Sequence, residues 1–282
     1  MTQPTANVMP PAATSFAAAP DGVRLAVYEW GNPSGPELVL IHGFSQCHLC
    51  FAPQVKSRLA QDFRIVAFDM RGHGASDKPE SPSAYQSSDV WAKDIAAVLD
   101  HAKLKRPVLA GWSMGGRIIR QYLMNFGDAR LAGINFVGSL VIENPEHRGA
   151  TAPRHAAGPS LGERLEATIA FLDACYGIKP SEADFRLALA YNMLLPEPVR
   201  EAIRGWSTDP AATLAAMKKV TVPVLITQGR KDVVVLPGAA EAAAAVLPQA
   251  RISWYDECGH SPFCEDAPRF NAELEAFVKS VQ

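Results

Sequence analysis

An α/β architecture with a mostly parallel sheet is predicted by three observations. Eight short segments read as strands, and from residue 38 onward they alternate with helix-patterned stretches, the rhythm of a parallel sheet covered on both faces. The inner segments are near-continuously apolar rather than alternating, as strands buried on both sides must be. The run Val108-Leu109-Ala110-Gly111-Trp112-Ser113-Met114-Gly115-Gly116 sets a Gly-x-Ser-x-Gly turn between a strand and an amphipathic helix. The bare pattern arises by chance in a chain this long roughly one time in ten, so the strand before it and the helix after it carry the inference.

The elements follow in order. Ser15 to Ala19, a turn at Pro20-Asp21-Gly22, and Val23 to Trp30 form an N-terminal hairpin. The turn Gly31 to Pro36 leads into Leu38-Val39-Leu40-Ile41. Ile65 to Phe68 is the next strand, and residues 89–102 form a helix with Val90, Ile95, Val98 and Leu99 on its apolar side. After the strand at Val108, the helix following Ser113 buries Ile118, Ile119, Tyr122, Leu123 and Phe126. Val137 to Ile142 reads as a strand with Glu143 at its end. Val222 to Thr227, a helix over 239–246, Arg251 to Tyr255 and a helix over about 266–280 complete the alternation.

Residues 144–218 break the rhythm. Helical patterns span about 161–176, 181–194, 197–206 and 210–218, punctuated by Pro145, Pro153, Pro159, Pro180, Pro196, Pro198 and Pro210. An all-helical insertion between two parallel strands reads as a cap over the carboxyl edge, where such sheets bind ligands. The expected organisation is a tail over 1–13, a core over 14–143 and 219–282, and the cap over 144–218.

Bulk properties narrow the function. The chain has 282 residues, 48% of them hydrophobic, and a formal net charge of -2. This near-neutral balance gives no reason to expect nucleic acid or a membrane surface as partner. No apolar run reaches the roughly 18 residues that span a bilayer. The first twenty residues, rich in Ala, Pro and Thr, lack the basic and apolar regions of a signal peptide. A disordered tail and a cytoplasmic protein are expected. The five cysteines are an odd number without disulfide spacing. Cys47-His48-Leu49-Cys50 is a C-x-x-C that reads as a redox pair, half a zinc site, or two small residues at a helix start. Nothing completes a metal site around it, so the last reading is preferred and no metal is expected.

A serine hydroxyl needs a base, and the base an orienting acid. Of seven histidines, His101, His147 and His155 read as solvated surface residues, His48 as lacking a partner set, and His42 and His73 as structural members of glycine-rich loops. His260 follows the last strand in Asp256-Glu257-Cys258-Gly259-His260, which puts an imidazole at the carboxyl edge of the sheet. Asp232, after Ile226 to Lys231, is the first candidate for the acid. Glu143 is its main competitor, and Asp256, placed within the strand, ranks third. Acyl transfer also needs oxyanion donors. The Met114 N–H is one, and the Phe44 N–H, in Ile41-His42-Gly43-Phe44-Ser45, is the expected second, with the Phe44 ring lining the acyl pocket.

Asp69-Met70-Arg71-Gly72-His73-Gly74-Ala75-Ser76 resembles the Asp-x-Arg-Gly-x-Gly-x-Ser loop of the α/β-hydrolase superfamily. With His42-Gly43-Phe44, Gly111 to Gly116, Gly229 to Asp232 and Gly259-His260, the resemblance covers the chain outside tail and cap. It implies the α/β-hydrolase fold, with an eight-stranded, mostly parallel sheet, and the chain order Ser113, Asp232, His260 is the one that fold uses. The Gly-Trp-Ser-Met-Gly-Gly elbow looks most like cofactor-free bacterial haloperoxidases and aryl esterases. That implies ester hydrolysis with no cofactor, and perhydrolysis as a side activity. Haloalkane dehalogenases and epoxide hydrolases resemble this framework but carry an aspartate where Ser113 stands.

The expected function is hydrolysis of a small or medium carboxylic ester, a small-molecule substrate, through Ser113, His260 and Asp232. The rival enzyme reading is a lactonase or carbon–carbon bond hydrolase of a degradation pathway. A rival of another class is a hydrolase-like ligand receptor with little turnover. Trp206, Phe171, Met193 and Leu194 are candidates for the pocket wall, although cap core is the more frequent fate of such residues.

Overall fold

A computed structural model of the chain describes residues 9–149 and 160–282; Pro153, His155 and Pro159 lie outside them. Eight strands form one sheet: β1 Ala13–Ala18, β2 Arg24–Gly31, β3 Glu37–Ile41, β4 Arg64–Phe68, β5 Val108–Trp112, β6 Gly133–Val137, β7 Val224–Gly229 and β8 Ala250–Tyr255. Their order is β1-β2-β4-β3-β5-β6-β7-β8. The hairpin strands β1 and β2 pair antiparallel, β2 joins β4 antiparallel, and all later pairings are parallel. The paired chain begins at Ala12, whose N–H donates to the Glu29 carbonyl.

Eight helices of eight or more residues occur among the described residues: α1 Ser88–His101, α2 Met114–Phe126, α3 Leu161–Ala174, α4 Glu182–Met193, α5 Glu197–Arg204, α6 Pro210–Met217, α7 Gly238–Val246 and α8 Ala267–Val281. Because side chains alternate across a strand, each inner strand feeds two cores. Val39, Ile41, Val66, Phe68 and Leu109 pack with α1, α2 and α7. Leu38, Leu40, Ile65, Ala67 and Ala110 pack on the other face with α8 and the turns around Phe51.

The strand expected over Val137 to Ile142 is instead Gly133–Val137. The buried polar Asn135 breaks its apolar pattern; its side-chain oxygen accepts the Thr227 hydroxyl of β7 at 3.1 Å. At Gly138 the backbone turns to φ +49° and leaves the sheet. Glu143 therefore lies six residues beyond the strand it was expected to end. Asp256 likewise stands just past β8, exposed and paired with Arg230.

Between β6 and β7 the chain forms α3 to α6, close to the predicted helical spans. Ser160 and Glu163 close a capping box at the start of α3, and the Ser181 and Asp209 side chains cap α4 and α6. Each of these caps accepts one of the free N–H groups of its first turn, and proline-rich joints separate the four helices.

Candidate active site

Ser113 sits between β5 and α2 at φ 54°, ψ -114°, a conformation that costs a non-glycine residue on the order of 1–3 kcal/mol. The surroundings hold it there. Its N–H donates to the Val137 carbonyl at 2.8 Å, and its carbonyl accepts the Ser139 hydroxyl at 2.8 Å. The helix that follows passes so close to β3 that a Cβ on Gly115 would lie 2.2 Å from the Ile41 carbonyl oxygen. The loop after β3 meets the same turn: a Cβ on Gly43 would stand 3.3 Å from Ser113 Cβ. The N–H groups of Phe44 and Met114 donate to no other group among the described residues, and Met114 begins α2, where the helix dipole favours negative charge.

His260 and Asp232 come together at the carboxyl ends of β7 and β8. His260 Nδ1 donates to Asp232 Oδ2 at 2.8 Å, which leaves Nε2 as the acceptor of the ring. Asp232 is 2% and His260 1% exposed. Four donors replace water around this carboxylate. Besides His260 these are the Val234 and Val235 N–H groups at 2.8 and 2.9 Å and Gln228 Nε2 at 3.1 Å. Trp112 Nε1, from the residue before Ser113, donates to the His260 carbonyl at 2.8 Å. That bond ties the histidine loop to the strand that carries the serine.

Glu143, the competing acid, is engaged elsewhere. It accepts Arg120 Nη2 at 2.7 Å and Arg148 Nη2 at 2.9 Å, and Arg117 stands at 3.6 Å. Burial acts to raise its pKa, but the Arg117 and Arg120 charges outweigh it and hold the carboxyl down to about 2. His42 and His73 are buried supports: each accepts a backbone N–H at Nε2, from Met70 and Ser45 respectively. Burial pushes His42 down to about 4 and His73 to about 3. His101 bonds Ser15 at the exposed hairpin, whereas His147 is half-buried against Gly238 rather than solvated.

His48 does have a partner set. Its N–H and Nδ1 donate to Asp69 Oδ1, and its ring stacks on Tyr28 with centroids 3.5 Å apart. Cys47, His48 and Asp69 bring one ligand-type atom each within 4.8 Å of one another. However, the Asp69 oxygens are already taken by His48, the Tyr28 hydroxyl and the Ala75 N–H. The trio thus reads as the anchor of the Asp69 loop. All five cysteines are free thiols, and burial raises those of Cys47 and Cys50.

Ser113, Phe44 and Met114 line one cavity of about 380 Å³. Its far wall comes from the stretch between β6 and β7: Arg148, Ile203, Arg204 and Trp206. Of the four expected wall residues only Trp206 is there. Phe171 is buried in a small core shared with Leu140, Val234 and Val235, which line the cavity where it does not; Met193 borders a different crevice, and Leu194 is 60% exposed. Sequence reasoning missed Arg117, which also lines the cavity. Its signal was available, since a residue four positions after the nucleophile lies one turn along the same helix face. Arg148 and Arg204 carried no such signal.

The sequence model of the alpha/beta hydrolase fold matches residues 36–267. The chain belongs to the α/β-hydrolase family. This α/β hydrolase is similar to a crystallised Burkholderia cenocepacia protein assigned as an aryl esterase, with 34% identity, 95% of this chain and 99% of that one covered, and a TM-score of 0.90. An esterase from Rhodococcus sp. ECU1013 is similar at 32% identity over 95% and 99% of the two chains, with a TM-score of 0.88. The non-heme haloperoxidase of Rhodococcus erythropolis is 26% identical over 280 residues, 94% of this chain and 99% of that protein. The expected likeness to the haloperoxidase and aryl esterase group is met. Among the described residues, no helix of this α/β hydrolase is long and apolar enough to cross a membrane.

Proposed function

We propose that this chain hydrolyses carboxylic esters through an acyl-enzyme on Ser113, with His260 as base and Asp232 as its orienting acid. One observation carries the reading: a serine held in a strained turn lines the same cavity as two backbone segments whose N–H groups are free among the described residues, and a buried His–Asp pair stands at the ends of β7 and β8.

In this mechanism the neutral His260 Nε2 takes the Ser113 proton as Oγ attacks the ester carbonyl. Asp232 fixes the tautomer and stabilises the imidazolium that forms. The Phe44 and Met114 N–H groups receive the tetrahedral oxyanion, each worth about 3–4 kcal/mol of the barrier. His260 then protonates the leaving alcohol and activates the water that releases the acid. His260 relays every proton between Ser113, the leaving alcohol and the incoming water, so no cofactor enters the scheme. Residues 144–218 serve as a cap whose wall residues select the substrate, a small or medium ester.

Replacing Ser113 by Ala should lower kcat on an aryl acetate by about 10⁴-fold or more. A fluorophosphonate should label wild type at Ser113 and leave the variant unlabelled. Undiminished turnover in the variant, or label elsewhere, would remove the assignment. A panel of esters, lactones and vinylogous diketones tests the reaction class, with esters expected to lead.

A further inference from the structure

The cavity over Ser113 has a charge that ester hydrolysis alone does not require. Among its described lining residues three are arginines, Arg117, Arg148 and Arg204, and none is acidic. Arg117 is one turn from the nucleophile, with its N–H donating to the Ser113 carbonyl at 3.3 Å. Its side chain is 19% exposed, with Cζ 4.4 Å from the Trp206 ring centroid.

Its nearest carboxylate, Glu143 at 3.6 Å, spends its hydrogen bonds on Arg120, Arg148 and Thr208. Arg117 Nε is buried without a hydrogen-bond partner, and so are Nε and Nη2 of Arg204, whose Nη1 is taken by Glu201. Arg120 Nε is likewise without a partner, but of these three arginines only Arg117 and Arg204 line the cavity.

A buried cation with unmet donors is costly until an anion reaches it. A guanidinium with open N–H groups grips a carboxylate through paired hydrogen bonds, and a neutral acyl chain offers nothing comparable. Burial lowers Arg117 to about 10, with Glu143 opposing, so it stays cationic at neutral pH.

We propose that the preferred substrate is a half-ester of a dicarboxylic acid, its free carboxylate held by Arg117 and Arg204 while its ester carbonyl lies against Ser113. This rests on the ester-hydrolase reading above and narrows it to one substrate class. Arg117 and Arg204 are then specificity-determining residues, and the leaving alcohol departs away from them.

The test compares kcat/KM for the 4-nitrophenyl half-ester of glutaric acid with that for 4-nitrophenyl valerate, equal in chain length. Wild type should favour the half-ester by tenfold or more at low salt. That ratio should fall at least tenfold in Arg117→Gln and in Arg204→Gln, with part of it retained in Arg117→Lys. Free glutarate should compete with valerate hydrolysis, and more weakly in Arg117→Gln. A wild-type ratio near or below one, or a ratio unmoved in both glutamine variants, would overturn the proposal while leaving the esterase reading intact. If neither ester turned over and Ser113 took no phosphonate, the esterase reading would fail. Calorimetric binding of glutarate to wild type, lost in Arg117→Gln, would then still support the anion site, and its absence would end it.

Discussion

The floor and the roof of the cavity are built on opposite principles. On the floor, at the sheet edge, the candidate acid and the supporting histidines are matched: Asp232 has four donors, and His42 and His73 each have a bond at both ring nitrogens. On the roof and the wall beside it, arginine N–H groups are left without acceptors. A satisfied network rigidifies, and a half-satisfied one is an invitation to a ligand. Under the proposed function, the difference means that the chemistry is preorganised from the sheet, whereas substrate choice is left to groups whose partner must arrive with the substrate.

The sharpest way to break that division is to exchange the two acids. Asp232→Asn should lower kcat about 10⁴-fold by stabilising the wrong tautomer of His260. Glu143→Gln, on the roof side, should cost no more than about tenfold on a neutral aryl ester. Steady-state kinetics on the two variants would refute the comparison if the larger loss fell on Glu143.

A smaller effect is expected where the floor is supported. Gly138 adopts φ +49°, and a Cβ there would lie 3.0 Å from the His260 carbonyl oxygen and 3.2 Å from Nδ1. Gly138→Ala should cost about 1–2 kcal/mol of stability for the left-handed backbone. Displacing His260 should also lower kcat by roughly ten- to a hundredfold. Thermal unfolding and kcat together check this, and a variant with wild-type kcat would show that the floor is less rigid than described.

A last test, of the floor's support alone, uses pH. His42 and His73 have pKa values of about 4 and about 3 in the fold, against about 6.5 when unfolded. Below pH 6.5 the unfolded chain therefore binds more protons. Stability should fall as pH drops from about 6.5 toward 4, by up to about 1.4 kcal/mol per unit for each histidine. Glu143, held at about 2, keeps the roof unchanged over that window. Urea unfolding at pH 7, 6 and 5 measures the slope, and a flat profile would contradict the buried neutral assignment.

Most of the floor was legible in the chain because its signals are local. A strand, a glycine-flanked serine and a helix follow one another within twenty residues, and the last two strands lead directly into Asp232 and His260. The misreadings came where a polar residue finds its partner far along the chain. Asn135 hid β6 because its partner, Thr227, is 92 positions away. His48 seemed unpartnered because Asp69 comes from another loop. In the insertion, helical patterns and prolines marked four helices well, but the same local signals say nothing of which side faces Ser113.

Local patterning by itself therefore determined the parallel α/β sheet, the strained serine turn and the order of the candidate catalytic residues. Periodicity, glycine spacing and strand ends are properties of neighbouring residues. Only the tertiary structure decided that Glu143 belongs to an arginine cluster, that Trp206 rather than Phe171, Met193 or Leu194 lines the cavity, and that Arg117, Arg148 and Arg204 converge there. Those outcomes depend on how separate helices pack and on which buried charges find partners, and both are sums over contacts between residues far apart in the chain.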